Sequence, residues 1–239
     1  MIYIDGGVTA ARGFTAAGIH AGLRKNVNKP DLAMIFCEVE CAAAAVYTKN
    51  TVKASPIRLT MKNLASGKAR AVICNSGNAN ACAPDGDENA RRMCSAAARA
   101  LGIDEELVIV ASTGVIGQRL NVEAIETAVP SLAALLGKDG SDTAAQAIMT
   151  TDLKKKELAL SFETGGKKIV IGGIAKGSGM IHPNMGTMLC FMTTDCAISQ
   201  PLLQLALSRA VRQTFNRVSV DGDTSTNDMC TIMASGLAG

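Results

Sequence analysis

The chain has 239 residues, enough for one large domain or two small ones. Hydrophobic residues make up 48% and charged residues 19%, with a formal net charge of +3, a balance that argues against nucleic acid or an anionic membrane as partner. With no Trp, two Tyr and five Phe, it offers few platforms on which bases or sugar rings could stack.

The opening MIYIDGGVTA has neither a basic nor a long apolar region, so no signal peptide is visible. No apolar run approaches the ~20 residues of a membrane span, and a cytoplasmic location is the expectation. Strands and helices alternate along the chain. DLAMIFCEVE, AAAAVYT and ARAVICNSG read as three buried strands. DGDENARRMCSAAARALG reads as a helix, acidic near its start and with Gly102 just past its end. EELVIVASTG is a strand running into a Thr-Gly turn. NVEAIETAVPSLAALLG is helical, with Asn121 as cap and Pro130 as a break or kink. SDTAAQAIM is a short helix capped by Ser141. ELALSFE and KKIVIGGIA form a hairpin around Thr164-Gly165-Gly166. TMLCFMTTD is a buried strand. SQPLLQLALSRAVRQTF is a helix with Ser199 at its cap, Pro201 in its first turn, and Leu203, Leu207, Ala210, Val211 and Thr214 on one face. DGDTSTND then leads into MCTIMASG. That ending reads as the inside of a domain, so a longer parent protein is expected.

The candidate chemistry narrows by elimination. None of the eight cysteines forms Cys-x-x-Cys, and His20 and His182 lie far apart, so a zinc site is not expected. The cysteines read as reduced thiols, mostly in the core. GGIAKGSG lacks the order of a phosphate loop, because Lys176 precedes Gly177. A lone histidine is more often structural than catalytic, so a nucleophile in this chain has to find its base elsewhere. AKGSGMIHPNMGTMLCF, residues 175–191, offers one solution. If the Gly186-Thr187 bond breaks, Thr187 becomes an N-terminus whose own α-amine can serve as base. That amine has a reference pKa of about 7.7–8.0, and Lys176 nearby would lower it by like-charge repulsion. The alternative is an ordinary loop feeding a strand.

Seven segments, taken in order, resemble the bifunctional ornithine acetyltransferase family, also called glutamate N-acetyltransferase. They are GGVTAARGFTAAGIHAGL, VYTKNTVKASP, AVICNSGNANAC, VIVASTGVIGQRL, MTTD, AKGSGMIHPNMGTML and SVDGDTSTND. The resemblance implies an α/β (α+β) fold, a layered α-β-β-α sandwich related to the DmpA aminopeptidase. It implies transfer of acetyl from N2-acetylornithine to glutamate, in arginine biosynthesis, through an acetyl-Thr187 intermediate after self-cleavage. No metal or bound cofactor is implied, and acetyl-CoA is a possible second acetyl donor. Residues 1–186 would form an α segment and 187–239 would open a β segment, shorter than the family's, the two assembling as two α and two β chains without nucleic acid or membrane.

Residue by residue, Thr187 matches the nucleophile and a substrate contact, and Gly186-Thr187 the scissile bond. Thr113 and Gly114 match the oxyanion pair. Thr150 and Lys176 match substrate contacts, with Thr151 the neighbour most readily confused with Thr150. Asn75, Asn78, Asn80 and the DGDTSTND loop fall in matching segments without assigned roles, and turn building is their alternative. Two departures stand out. Gly186 replaces the family's usual alanine, and the family continues beyond Gly239 into a part that supplies a substrate-binding glutamate. The rival readings are an aminopeptidase or amidase on the same scaffold, and a non-catalytic, unprocessed fragment.

Overall fold

A computed structural model describes residues 1–180 and 188–239. Among these residues nine strands form one mixed sheet: β1 (Ile2–Ile4), β2 (Phe14–Ile19), β3 (Leu32–Tyr47), β4 (Lys68–Asn78), β5 (Val108–Val115), β6 (Lys156–Thr164), β7 (Lys167–Lys176), β8 (Leu189–Thr194) and β9 (Met229–Ala234). Their spatial order is β1-β6-β7-β8-β9-β3-β4-β5, with β2 paired to β3 off this path. Five helices accompany them: α1 (Ser55–Asn63), α2 (Gly86–Leu101), α3 (Val122–Ala134), α4 (Ser141–Ala147) and α5 (Gln200–Gln213).

DLAMIFCEVE and AAAAVYT, expected as two strands, are one 16-residue strand, β3. Its first part pairs with β2 and β4, and its last part, Ala42–Tyr47, pairs with β9. Between Phe36 and Cys41 the register slips, five steps along β3 passing only two on β4. A local excess of residues of this kind bends and twists a strand. The carbonyls freed there are taken by Arg70, which donates to Cys37 O (3.2 Å) and Glu38 O (2.7 Å) while its guanidinium lies 5.0 Å from the Phe36 ring centroid.

The bend folds the sheet onto itself. Side chains alternate across each strand, so β3 sends Ala33, Ile35 and Cys37 inward, where they share a core with Val72, Ile109, Phe191 and Met233. On the outer side Leu32 and Met34 pack with Ile73, Val110 and the faces of α2 and α3. On the other half of the sheet, Cys190, Cys230 and Ile232 are covered by Leu203, Leu207 and Val211 of α5. The layers therefore run helix, sheet, sheet, helix, as an α-β-β-α sandwich.

Several local expectations change. Ala210 and Thr214 are exposed, so the buried stripe of α5 is Leu203, Leu207 and Val211 alone. Ser141 is the first residue of α4 rather than its cap, and its hydroxyl accepts the Val8 N–H at 3.0 Å instead. Asn121 does cap α3, accepting the Ala124 N–H at 3.2 Å, and that helix runs through Pro130. The β6–β7 hairpin turns on Gly165 and Gly166, at φ 56° and 75°, as a two-residue turn of this hand requires. All eight cysteines are free thiols and six are buried. No helix among the described residues is long and apolar enough to cross a membrane.

The described residues before and after 181–187 share this sheet: β8 and β9 lie between β7 and β3. The seal on β8 and β9 is α5, so its stripe can be tested directly. Leu207 is 4% exposed and Leu202 58%. Leu207→Ala should cost roughly 2–5 kcal/mol in urea unfolding, whereas Leu202→Ala should stay within about 0.5 kcal/mol. Equal losses would mean that α5 does not seal the sheet.

Candidate functional site

The ends of β4, β5 and β7 converge on a cavity of about 510 Å3, lined by Thr113, Gly114, Thr150 and Lys176 among others. The structure thus brings together four of the residues singled out in the sequence. The fifth and sixth, Gly186 and Thr187, lie outside the described residues, as does His182.

Thr113 and Gly114 lie just before the end of β5, which runs parallel to β4. At this end the two backbones approach so closely that a Cβ on Gly114 would stand 2.2 Å from the Gly77 carbonyl carbon. Gly114 also has φ +138°, so glycine is required on both counts. The asparagines of NSGNANA build this approach. Asn75 donates to Asn78 O (3.0 Å) and accepts from the Ser112 hydroxyl (2.6 Å), joining the two strands. Asn78 donates to Gln118 O and Arg119 O. Asn80, at φ 47°, donates to Gly86 O at the head of α2. Turn building is therefore their visible role.

Lys176 is 3% exposed, and its ammonium donates to Thr113 Oγ1 at 2.8 Å. The sequence reading gave these two residues separate roles, whereas the structure couples them. With its oxygen accepting from lysine, the Thr113 hydroxyl keeps its own hydrogen for another acceptor. Burial pulls the Lys176 pKa below its ordinary value, against the opposing charges of Asp152, Cys74 and Asp228, while Arg24 pushes it down further.

Two acids escaped the sequence reading. Asp152, the last residue of MTTD, accepts the N–H groups of Thr150 (3.2 Å) and Gly177 (2.8 Å) and the Lys156 ammonium (2.6 Å). It ties two pocket walls together. Burial acts to raise its pKa, but the hydrogen bonds from Lys156, Gly177 and Thr150 outweigh this and hold it below the ordinary value. Asp228, the last residue of DGDTSTND, is 1% exposed and accepts the Met188 N–H at 2.8 Å. Its other oxygen, Oδ2, finds no hydrogen bond among the described residues, and burial pushes the carboxyl up to about 8 despite Met188, Lys176 and Ser225. Asn227 straps the same loop to the ends of β4 and β5 through Ala79 O (2.6 Å) and Ser112 O (2.9 Å). In a bare sequence such acids look like turn caps. Their signal is position within a matching segment, and burial is what distinguishes them.

His20 does not reach the cavity wall. Its Nδ1 lies 3.1 Å from Lys29 O and 3.2 Å from the buried Asp31 carboxylate, a structural contact. Thr151 also lines the cavity, with its hydroxyl 3.0 Å from that of Ser178.

The raised Asp228 pKa has a stability consequence. Between pH 3.8 and about 8 the unfolded chain has lost this proton while the folded chain keeps it, so stability falls as pH rises through that window. Asp228→Asn keeps an acceptor for the Met188 N–H and removes the titration. Denaturant midpoints compared at about pH 5 and pH 8 should therefore differ less in the variant than in the parent, by up to about 1.4 kcal/mol per pH unit. Identical pH slopes in the two proteins would show that Asp228 is ionised in the fold.

Comparisons with known proteins place this site in context. A model of the ArgJ family matches residues 15–239. The arginine biosynthesis bifunctional protein ArgJ of Symbiobacterium thermophilum is 50% identical over 241 residues, covering 100% of this chain and 60% of that protein. The protein of the same name from a Synechococcus strain is 51% identical over 235 residues, covering 98% and 56%. The chain thus spans less than two thirds of the length of these relatives. Among solved structures, Bacillus halodurans ArgJ is 39% identical with a TM-score of 0.71, covering 79% of this chain and 97% of that one. The ornithine acetyltransferase of Mycobacterium tuberculosis, solved in complex with ornithine, is 37% identical with a TM-score of 0.70, covering 79% and 99%. An L-aminopeptidase D-Ala-esterase/amidase from Ochrobactrum anthropi, described as a variant of the Ntn hydrolase fold, is 13% identical with a TM-score of 0.58, covering 96% and 74%, and shares the fold alone. By the family match along nearly its whole length, the chain belongs to the ArgJ family.

Proposed function

We propose that this chain carries the nucleophile and the oxyanion site of a glutamate N-acetyltransferase, which moves acetyl from N2-acetylornithine to glutamate. The observation that carries the reading is the buried Lys176–Thr113 hydrogen bond at the cavity wall. It leaves one oriented hydroxyl hydrogen free to donate beside Gly114, as stabilisation of a developing oxyanion requires. The ornithine bound to the M. tuberculosis relative supports an amino-acid substrate.

In this reading the chain breaks between Gly186 and Thr187. The neutral α-amine of Thr187 then takes the hydroxyl proton as Oγ attacks the acetyl carbonyl. Thr113 and Gly114 hold the oxyanion, and ornithine leaves with the proton. The amine of glutamate attacks the resulting ester and restores the threonine hydroxyl. The scheme calls on no metal or bound cofactor, and acetyl-CoA is a further candidate acetyl donor. The fragments stay together after cleavage, because β8 and β9 lie in the middle of the sheet and cannot leave without opening it. The two solved relatives are matched over 97 and 99% of their own length yet cover only 79% of this chain, about the share a polypeptide ending near Gly186 would occupy. Pairing of two α with two β fragments is part of the same proposal.

N-terminal sequencing of the full-length gene product should find a fragment beginning Thr-Met-Leu-Cys, and Thr187→Ala should remain one polypeptide. With N2-acetylornithine alone, the processed protein should gain one acetyl mass on that fragment and lose it when glutamate is added. Thr113→Ala should slow transfer by up to roughly 10²–10³-fold, since one donor of such a site is removed. An intact chain that never gains acetyl would refute the reading. Acetyl release to water at the same rate with and without glutamate would identify a hydrolase instead.

A further inference from the structure

The loop between β2 and β3 carries Arg24 to the cavity wall. Its path is set by Asp31, whose buried carboxylate accepts the N–H groups of Ala21 (2.6 Å), Leu23 (2.9 Å) and Arg24 (2.9 Å). The side chain then runs across Gly77, where a Cβ would come within 3.0 Å of Arg24 Cγ. Its Nη2 donates to the carbonyl of Met149, the residue before Thr150. The guanidinium is thus aimed and half-buried, yet it forms no ion pair among the described residues.

The acids nearby are already engaged. Asp31 is taken by three backbone N–H groups and Asp152 by Thr150, Gly177 and Lys156. The other buried cation, Lys176, is directed at Thr113. A partly desolvated arginine with one of its five donors engaged among the described residues is a costly arrangement unless a ligand completes it. Its planar fork matches one group above others, a carboxylate held through two parallel hydrogen bonds.

We propose that Arg24 is the anchor for the α-carboxylate that acetyl donor and acceptor have in common. This rests on the acetyl-transfer reading for the identity of the two ligands, because one cavity must receive them in turn and the α-carboxylate is what N2-acetylornithine, ornithine and glutamate share. It makes Arg24 a specificity residue, separate from the groups that act on the acetyl carbonyl.

The test uses Arg24→Gln and Arg24→Lys in the full-length protein. The first readout is calorimetric binding of ornithine and of putrescine, which is ornithine without its carboxylate. The parent should prefer ornithine. Arg24→Gln should weaken ornithine roughly 10- to 100-fold, the loss of a charge-assisted pair, and leave putrescine unchanged. Arg24→Lys, which keeps the charge without the fork, should fall between. In turnover, KM for both N2-acetylornithine and glutamate should rise with kcat nearly constant, and self-cleavage should proceed as in the parent. Ornithine binding unaffected by Arg24→Gln would overturn the assignment. So would a loss confined to glutamate, which would move Arg24 to that substrate's second carboxylate. Because the binding comparison needs no catalysis, a parent that shows the expected preference but transfers no acetyl would refute the acetyl-transfer reading while sustaining the anchor.

Discussion

The bend in β3 is the constraint on which the rest of the structure depends. A flat sheet of nine strands would leave its apolar faces to be covered by helices alone. By slipping register between Phe36 and Cys41, β3 pairs with β4 at one end and with β9 at the other. The two halves of the sheet then bury each other's inner faces, and α2, α3 and α5 need cover only the outer ones. Arg70 makes the bend affordable by taking the two carbonyls that the broken ladder frees. The same bend places β7 opposite the ends of β4 and β5, which is what allows Lys176 to reach Thr113 across 63 residues of sequence.

The cavity is built from polar groups taken out of water, and each is handled differently. Asp152 is surrounded by donors and stays an anion. Asp228 has too few and is held toward its neutral form. Among the described residues Lys176 has one hydrogen-bond partner, Thr113, with burial opposing its charge. In a low-dielectric setting these differences are amplified. Asp152 therefore serves as a tie between walls, while burial works against the charged forms of both Asp228 and Lys176. Asp228 also meets the first described residue after Gly186-Thr187 through the Met188 N–H, so the proposed nucleophile would be followed directly by an anchored peptide group.

Close backbone approach is the third element. Glycines at 77 and 114 let two parallel strands come nearer at their ends than any side chain would permit. The asparagines around them supply hydrogen bonds where the register of the ladder shifts. NSGNANA and ASTGVIG are thus the two sides of one strand-end junction.

Much of the fold was legible in the sequence. Short apolar runs identified β4, β5 and β8, capping residues and glycines bounded α2 and α3, and Thr164-Gly165-Gly166 marked the hairpin, because these follow from local backbone and burial preferences. The grouping of Thr113, Gly114, Thr150 and Lys176 came from resemblance, and the structure brings them to one cavity. What only tertiary structure decided depends on partners distant in sequence. Two apolar runs became one bent strand because β4 and β9 pair with its opposite ends. Ala210 and Thr214 left the buried stripe because α5 meets the sheet along a line narrower than its helical pattern suggested. Ser141 turned from a cap into an acceptor because Val8, 133 residues away, presents an N–H there. Asp152, Asp228 and Arg24 acquire their meaning in the same way. A carboxylate or guanidinium has the same chemistry in any turn, and only the removal of water and the arrangement of neighbouring donors determine whether it caps a loop, holds a proton or awaits a ligand.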